Sequence, residues 1–358
     1  MSASHGSRFS ADNTVVFGGR AGNSRQVARG IAKSLGLGGA VDVYAEDFAD
    51  SETYVRLPLE KIKRNLAGSH VVYVQTTVPM ENHHFIETLL TLDALREQRV
   101  GWIDLVIPYL VYARQDKVFH PGEALSIRAI LKAIKAMRVN RIFTIDVHFW
   151  RSVGRVNFES TQIGPISIDG SELQMYNFTA TNALATYAKE TLGIERPIVV
   201  IPDKGHRPVA EPVERFFKTS DDDVILFDKV RKRDAVSVSL ASGRSVPDLG
   251  GRQLILFDDM VGTGTTIAKV SNWLRSKGAT DITLACTHAI NHKRKAPGES
   301  VAMSTLERLT QAGVSRIVTT DTVRNKEPIT KHIIPVAPIF AAALQEMLQA
   351  PVARWTRP

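Results

Sequence analysis

Short apolar runs alternate along the chain with longer stretches whose apolar residues recur at helical spacing. Val15-Val16-Phe17 runs into Gly18-Gly19, and Ser24 to Leu35 then places Val27, Ile31 and Leu35 on one helix face. The polar stretch from Phe48 enters a strand near Val55. The run His70–Val74 precedes a helical pattern from Ile86 to Leu95, and the run Ile103–Tyr109 is broken by Pro108. Further buried-type strands are predicted from Arg141 to an acid and a histidine at Asp146 and His148, from Pro197 to Asp203 at its tip, and at Val224–Phe227, Leu254–Phe257, Ile282–His288 and Arg316–Asp321. Ile333 leads into a closing helix, Ile339 to Leu348. Repeated strand–helix alternation of this kind predicts an α/β fold with mainly parallel sheets.

The chemistry gathers where strands are predicted to end. After Leu254–Phe257 stand two acids, Asp258 and Asp259, then a loop of small residues, Gly262-Thr263-Gly264-Thr265-Thr266, then a helix with Ile267, Val270 and Leu274 inward. Small residues let a backbone approach a ligand, and the amides at a helix start attract anions. That loop suits a phosphate, while the acids repel one and suit sugar hydroxyls or a metal. Phosphate at one end and diol at the other describe a ribose 5-phosphate unit. No lysine stands where a P-loop requires it, which argues against a nucleoside triphosphatase.

Other strand ends carry similar groups. Arg114, Gln115, Asp116 and Lys117 follow an apolar run, and Asp146 and His148 end another in an echo of Leu254–Asp259 that hints at two similar halves. Asp203 and Gly205 follow Ile198–Ile201, and Asp228, Lys229 and Arg231 follow Val224–Phe227. At the carboxyl ends of parallel strands, such residues sit where α/β folds bind ligands.

Composition narrows the picture modestly. The 358 residues suffice for two domains, and the single cysteine, Cys286, excludes an internal disulfide framework and favours a reducing compartment. The net charge of +8 comes without a long basic block, so a nucleic-acid partner is not indicated. Neither a signal segment nor a run of membrane-spanning length is apparent, and the cytoplasm is the expected location.

In register from Val15 to Leu348, these landmarks resemble the ribose-phosphate diphosphokinase, or phosphoribosyl diphosphate synthetase, family. The resemblance is carried by Phe48-x-Asp50-x-Glu52, Tyr112-Ala-Arg-Gln-Asp116, Asp146-x-His148, Pro202-Asp203-x-Gly205, Asp228-Lys229-x-Arg231 and Asp258-Asp-x-x-x-Thr263-Gly264-x-Thr266. It implies two α/β domains of the phosphoribosyltransferase type related by pseudo-two-fold symmetry. We place them at 15–162 and 163–332, with the helix at 336–350 packing back on the first. It also implies transfer of the β,γ-diphosphoryl group of ATP to the anomeric hydroxyl of ribose 5-phosphate, with Mg2+ as cofactor. Carried over by position, Arg114, Gln115 and Asp116 hold ATP, and Phe48, Asp50 and Glu52 reach the adenine of a neighbouring subunit in a homo-oligomer. His148 contacts phosphates or metal, and Asp203 metal or ribose. Lys229 and Arg231 match a catalytic arm. Asp258 and Asp259 take the ribose hydroxyls, while Gly262, Thr263, Gly264, Thr265 and Thr266 cradle the 5-phosphate.

The chain departs from the family pattern on the sugar-phosphate side. Gly262 stands where an acid or small polar residue is usual, Thr265 where a glycine is usual, and His206 replaces the second glycine after Asp203. The run after His148 reads Phe149-Trp-Arg-Ser-Val-Gly-Arg-Val-Asn-Phe158. Two alternatives therefore stand beside an active synthetase: a diphosphokinase for another sugar phosphate, and a non-catalytic regulatory paralogue. A plain phosphoribosyltransferase needs neither the Tyr112–Asp116 element nor two similar halves.

Overall fold

The computed structural model describes residues 11–62, 64–203, 207–232, 235–241, 246–291, 293, 302–325 and 327–349. The chain forms two compact units. The first runs to Phe178 and regains the chain from Pro335, and the second spans Thr179–Ile334.

In chain order the first unit contains β1 (Thr14–Gly18), α1 (Ser24–Ser34), β2 (Ala40–Asp42), β3 (Tyr44–Asp47), β4 (Thr53–Arg56), β5 (His70–Val74), α2 (Glu81–Glu97) and β6 (Trp102–Val106). It continues with α3 (Ser126–Ala136), β7 (Arg141–Ile145), β8 (Gly154–Arg155), β9 (Ser167–Ile168), β10 (Ser171–Glu172) and β11 (Gln174–Phe178). Among the described residues its main sheet has seven strands in the order β2-β1-β5-β6-β7-β11-β8. All neighbours run parallel except the edge strand β8. Every residue of β1, β5 and β7 is buried, which is why these strands read as continuous apolar runs rather than alternations.

The second unit contains α4 (Thr181–Glu190), β12 (Ile198–Ile201), α5 (Arg207–Phe217), β13 (Val224–Lys232), β14 (Ala235–Leu240), β15 (Gln253–Val261) and α6 (Thr265–Ser276). After these come β16 (Asp281–Ala289), α7 (Thr305–Gln311), β17 (Arg316–Thr320) and β18 (His332–Ile334). Its sheet has the order β14-β13-β12-β15-β16-β17-β18, with only β14 antiparallel among the described strands. The closing helix α8 (Ala337–Gln349) belongs to the first unit, where Phe340 meets Phe178 edge to face.

Several elements differ from the sequence expectation. The division falls at Phe178/Thr179 rather than Gln162/Ile163, because β11 pairs in parallel with β7 and completes the first sheet. The polar stretch from Phe48 enters a strand, β4, as expected, but β3 precedes it, so the stretch is the turn of a hairpin. The strand at Leu254 does not stop before the acids. It continues through Val261 because β16 pairs with it as far as Val261↔Ala289.

Each sheet has a point where the chain reverses its direction of build. In the first unit β1 is followed by β2 on one side and β5 on the other. In the second, β12 is followed by β13 on one side and β15 on the other. Crevices outside the carboxyl ends at such switch points are where open α/β sheets bind ligands.

Candidate functional site

The second unit sets its polar residues at its switch point. Val200 of β12 pairs with Leu256 of β15, and Ile201 with Leu226 of β13, so Asp203, Asp228 and the Asp258–Asp259 pair all follow at a similar level of the sheet. Asp203 and Asp258 are half-buried and Asp259 is buried. Because β15 is extended through the pair, the two carboxylates leave on opposite faces of the strand. The Asp259 amide donates to Asp258 Oδ1 at 2.9 Å, which fixes the Asp258 carboxylate against its own backbone.

Gly262, Thr263 and Gly264 make the short turn into α6. Gly264 is the residue before the helix and adopts φ +75°, a left-handed conformation that glycine takes without strain. A Cβ there would also come within 3.2 Å of Thr305 Cγ2. Thr265 and Thr266 open α6, whose first-turn amides have no partners inside the helix and face the turn. The Thr263 and Thr265 hydroxyls lie 3.0 Å apart. An α7 brace holds the turn from behind: Thr305 donates to the Gly262 carbonyl at 2.5 Å, and Arg308 donates to the Thr263 carbonyl. With these two carbonyls tied back, amides and hydroxyls remain on the ligand side, a donor set suited to an anion.

Thr305 and Arg308 were not anticipated from sequence. The signal was present, since Ser304-Thr-Leu-Glu307 is a capping box whose two hydrogen bonds both form and start α7 at that point. Lys229 and Arg231 fall in the outer part of β13, where they pair with Val238 and Val236 of β14 in an antiparallel hairpin. Gly205 and His206 lie outside the described residues.

The first unit carries the other candidates, also beyond the carboxyl ends of its strands. Arg114, Gln115 and Asp116 form the turn after β6, entered through Tyr112 at φ +63°. Arg114 is exposed, and Gln115 and Asp116 are half-buried. The turn is fixed by Gln115 N donating to Tyr112 O at 3.1 Å and by Gln115 Nε2 donating to Lys117 O at 3.2 Å. Glu123 orders the next loop by accepting from the Phe119 and His120 amides, which hold its carboxyl below the usual range. His148 follows β7 in a turn and is half-buried.

Phe48, Asp50 and Glu52 occupy the exposed tip of the β3–β4 hairpin. Phe48 is 53% exposed, with its edge on Tyr54 at 5.8 Å. At the base of the same hairpin is a cluster that sequence reasoning missed. Arg20, just after Gly18-Gly19, bonds both Asp47 and Glu87, and its Nη2 lies 2.7 Å from His83 Nε2. Burial pushes the Glu87 carboxyl up, but His84 and Arg20 outweigh it and hold the group below its ordinary range.

Residues 14–137 match the family model for the N-terminal domain of ribose phosphate pyrophosphokinase, and residues 174–314 match the phosphoribosyl transferase domain. A ribose-phosphate pyrophosphokinase of Aeropyrum pernix is 30% identical over 93% of this chain and 97% of its own length. The chain belongs to the ribose-phosphate pyrophosphokinase family. A relative from Methanosarcina acetivorans with the same name is 31% identical over 93% of this chain and 99% of its own. The crystal structure of phosphoribosylpyrophosphate synthetase from Mycobacterium smegmatis superposes with a TM-score of 0.71 at 26% identity, covering 93% of this chain and 98% of that one. As a ribose-phosphate pyrophosphokinase family member, the chain is an enzyme of a kinase-like phosphoryl-transfer type that works with a divalent metal. Among the described residues no helix is long and apolar enough to cross a membrane.

Proposed function

We propose that this enzyme transfers the β,γ-diphosphoryl group of ATP to the anomeric hydroxyl of ribose 5-phosphate, forming phosphoribosyl diphosphate and AMP for nucleotide biosynthesis. In that step a bond forms between the anomeric oxygen and the β-phosphorus, the bond from the β-phosphorus to the α-phosphate bridge breaks, and the hydroxyl proton is lost. The observation that carries the reading is the combination in one chain of two α/β units with different polar sets. One unit has the strained Tyr112–Asp116 turn and the exposed Phe48–Glu52 hairpin, and the other has the Asp258–Thr266 turn tied back by Thr305 and Arg308. A single-domain transferase has no use for the first set.

In this reading Arg114, Gln115 and Asp116 hold ATP, and His148 bonds its phosphates. Asp258 and Asp259 accept bonds from the ribose hydroxyls, and the turn from Gly262 to Thr266 receives the 5-phosphate. Lys229 and Arg231 stabilise the charge that develops on the transferred group. Mg2+ suits the half-buried Asp203 carboxylate, since this ion prefers oxygen ligands and keeps substrate phosphates among them. When bound, it neutralises charge on the transferring phosphates.

The hairpin tip projects Phe48 and two acids into solvent, in keeping with a homo-oligomer in which the tip completes a neighbouring subunit's ATP site. The single, buried Cys286 is in keeping with a cytoplasmic setting. Phosphorus NMR of the protein with ATP, magnesium and ribose 5-phosphate tests the central claim. AMP appearing together with a sugar diphosphate supports it, and intact ATP overturns it.

A further inference from the structure

The β3–β4 hairpin is a separate two-stranded sheet, not hydrogen-bonded through its ladder to the seven-stranded sheet of its unit. Val43 N donates to Gly18 O at 2.9 Å at the start of the hairpin, and beyond that point its position depends on side chains. Three local bonds order the tip: Phe48 N donates to Glu52 O at 2.8 Å, Ser51 N to Phe48 O at 2.9 Å, and Glu52 N to Asp50 Oδ1 at 3.2 Å. Whatever fixes Asp47, the residue just before the tip, fixes the direction in which Phe48, Asp50 and Glu52 point.

Asp47 is held by Arg20. Arg20 Nη2 donates to Asp47 Oδ1 at 2.8 Å, and this bond keeps the Asp47 carboxyl below the usual range. The far side of the guanidinium is anchored in the interior. Arg20 Nε donates to Glu87 Oε2 at 3.1 Å, and the Arg20 amide donates to Glu87 Oε1 at 3.2 Å. Glu87 is wholly buried on α2 and also lies 3.2 Å from Gln75 Nε2 and 3.3 Å from His84 Nδ1, so it is an immobile anchor. His83 Nε2 stands 2.7 Å from Arg20 Nη2 and 3.2 Å from Asp47 Oδ1 and closes the triangle. A Cβ at Gly19 would sit 1.5 Å from Gln75 Oε1, so a side chain there would displace the Gln75 amide that bonds Glu87.

One ligand atom from each of His83, His84 and Glu87 falls within 4.8 Å of the others, a spacing that would suit a metal ion. The Arg20 guanidinium, bonded to Glu87 and within hydrogen-bond distance of His83, already supplies the cation at that place.

We propose that Arg20 is a positioning residue that clamps the Phe48–Glu52 hairpin to the first unit through Asp47 and Glu87, and so sets the affinity for ATP. The inference rests on the reading that the hairpin tip contacts ATP. Asp47→Ala is the cleaner variant, since Asp47 lies on the surface and Arg20 keeps its buried partner Glu87. Arg20→Ala would leave Glu87 uncompensated and threaten folding.

The full-length variant is compared with the parent by hydrogen-exchange mass spectrometry over residues 48–52 and by steady-state kinetics with each substrate varied. We expect faster exchange at the tip and a rise in KM for ATP of up to about fivefold, the upper end set by an exposed ion pair. KM for ribose 5-phosphate and the melting temperature stay unchanged. Unchanged exchange at the tip overturns the clamp. Equal rises in both KM values with a lower melting temperature also overturn it, because the role is then merely structural. Faster exchange with unchanged KM for ATP leaves the clamp standing and overturns its part in setting the affinity for ATP. Phe48→Ala checks that assignment separately, and an unchanged KM for ATP in it removes the assignment whatever Asp47→Ala does.

Discussion

Gly264 concentrates the demands on the turn before α6 into one backbone angle. Its φ of +75° strains any L-residue, and the Thr305 methyl stands 3.2 Å from where a Cβ would be. Gly264→Ala is expected to cost about 1–2 kcal/mol of stability and to raise KM for ribose 5-phosphate more than KM for ATP. Urea unfolding and substrate-varied kinetics check this, and an unchanged KM for the sugar phosphate would remove the turn from its site. Gly262 is less constrained, with open space where its Cβ would lie, so the departure from the family pattern there is sterically neutral. Cys286 makes the opposite point. Burial on β16 pushes its thiol up to about 12, although the Thr319 hydroxyl opposes this slightly. A thiol reagent at pH 8 should label the folded chain only as fast as it opens, while unfolded chain reacts at once. Because the folded pKa lies above the unfolded value, the contribution of this thiol to stability falls as pH rises from about 8.5 towards the folded value.

At the scale of elements, the roles proposed for the β13–β14 hairpin and the α7 brace predict different kinetic signatures. Lys229→Ala should reduce kcat far more than it changes KM for ATP, as expected of a group that acts on the transition state. Equal losses in both would contradict that role. Thr305→Val removes the hydroxyl that holds the Gly262 carbonyl at 2.5 Å and is expected to cost about 1–3 kcal/mol, with the kinetic effect confined to the sugar phosphate. The two elements differed in how far the sequence revealed them. Lys229 and Arg231 follow an apolar strand within a recognisable motif, whereas Thr305 lies over forty positions after Gly262, |i−j| = 43, and only the chain path brings them together. The parallel strands were legible because burial on both faces leaves long apolar runs. The β3–β4 hairpin was not, since Tyr44, Glu46 and Asp47 are exposed and Ala45 is only half-buried, so no apolar pattern marks the first strand. The end of β15 was misread for a related reason. Acids normally terminate a buried strand, but here pairing with β16 carries the ladder past them. Arg20 escaped notice because its partners Asp47, His83 and Glu87 lie on two other elements that the sequence does not place beside it.

Across the whole first unit, polar residues follow the carboxyl ends of the strands while the opposite ends are locked by one buried ionic network. At the amino ends of β5, β6 and β7, Asp104 takes two bonds from Arg141 at 2.7 and 2.5 Å and one from the Trp102 indole at 2.8 Å, and His70 Nε2 lies 2.8 Å from it. Burial pushes the Asp104 carboxyl up, but Arg141 and His70 outweigh it and depress it far below its ordinary value. A depressed folded pKa contributes stability that is present above the unfolded pKa of about 4 and is lost as pH falls below it towards the folded value. Asp104→Asn leaves Arg141 buried without its counter-charge and is expected to cost about 3–5 kcal/mol at neutral pH. The variant should also lose part of the acid-dependent slope, so that parent and variant converge in stability as pH is lowered from 4. Denaturant unfolding of both proteins at a series of pH values between 7 and 3 reads both quantities. Parallel curves over that range would mean that Asp104 does not gain its stability from being charged. Because this network sits at the ends of the strands away from Arg114 and His148, the KM values of the variant below its melting temperature should match the parent's. A selective rise in KM for ATP would show that the two ends of the sheet are coupled, and would place the buried network in the binding machinery rather than in the scaffold beneath it.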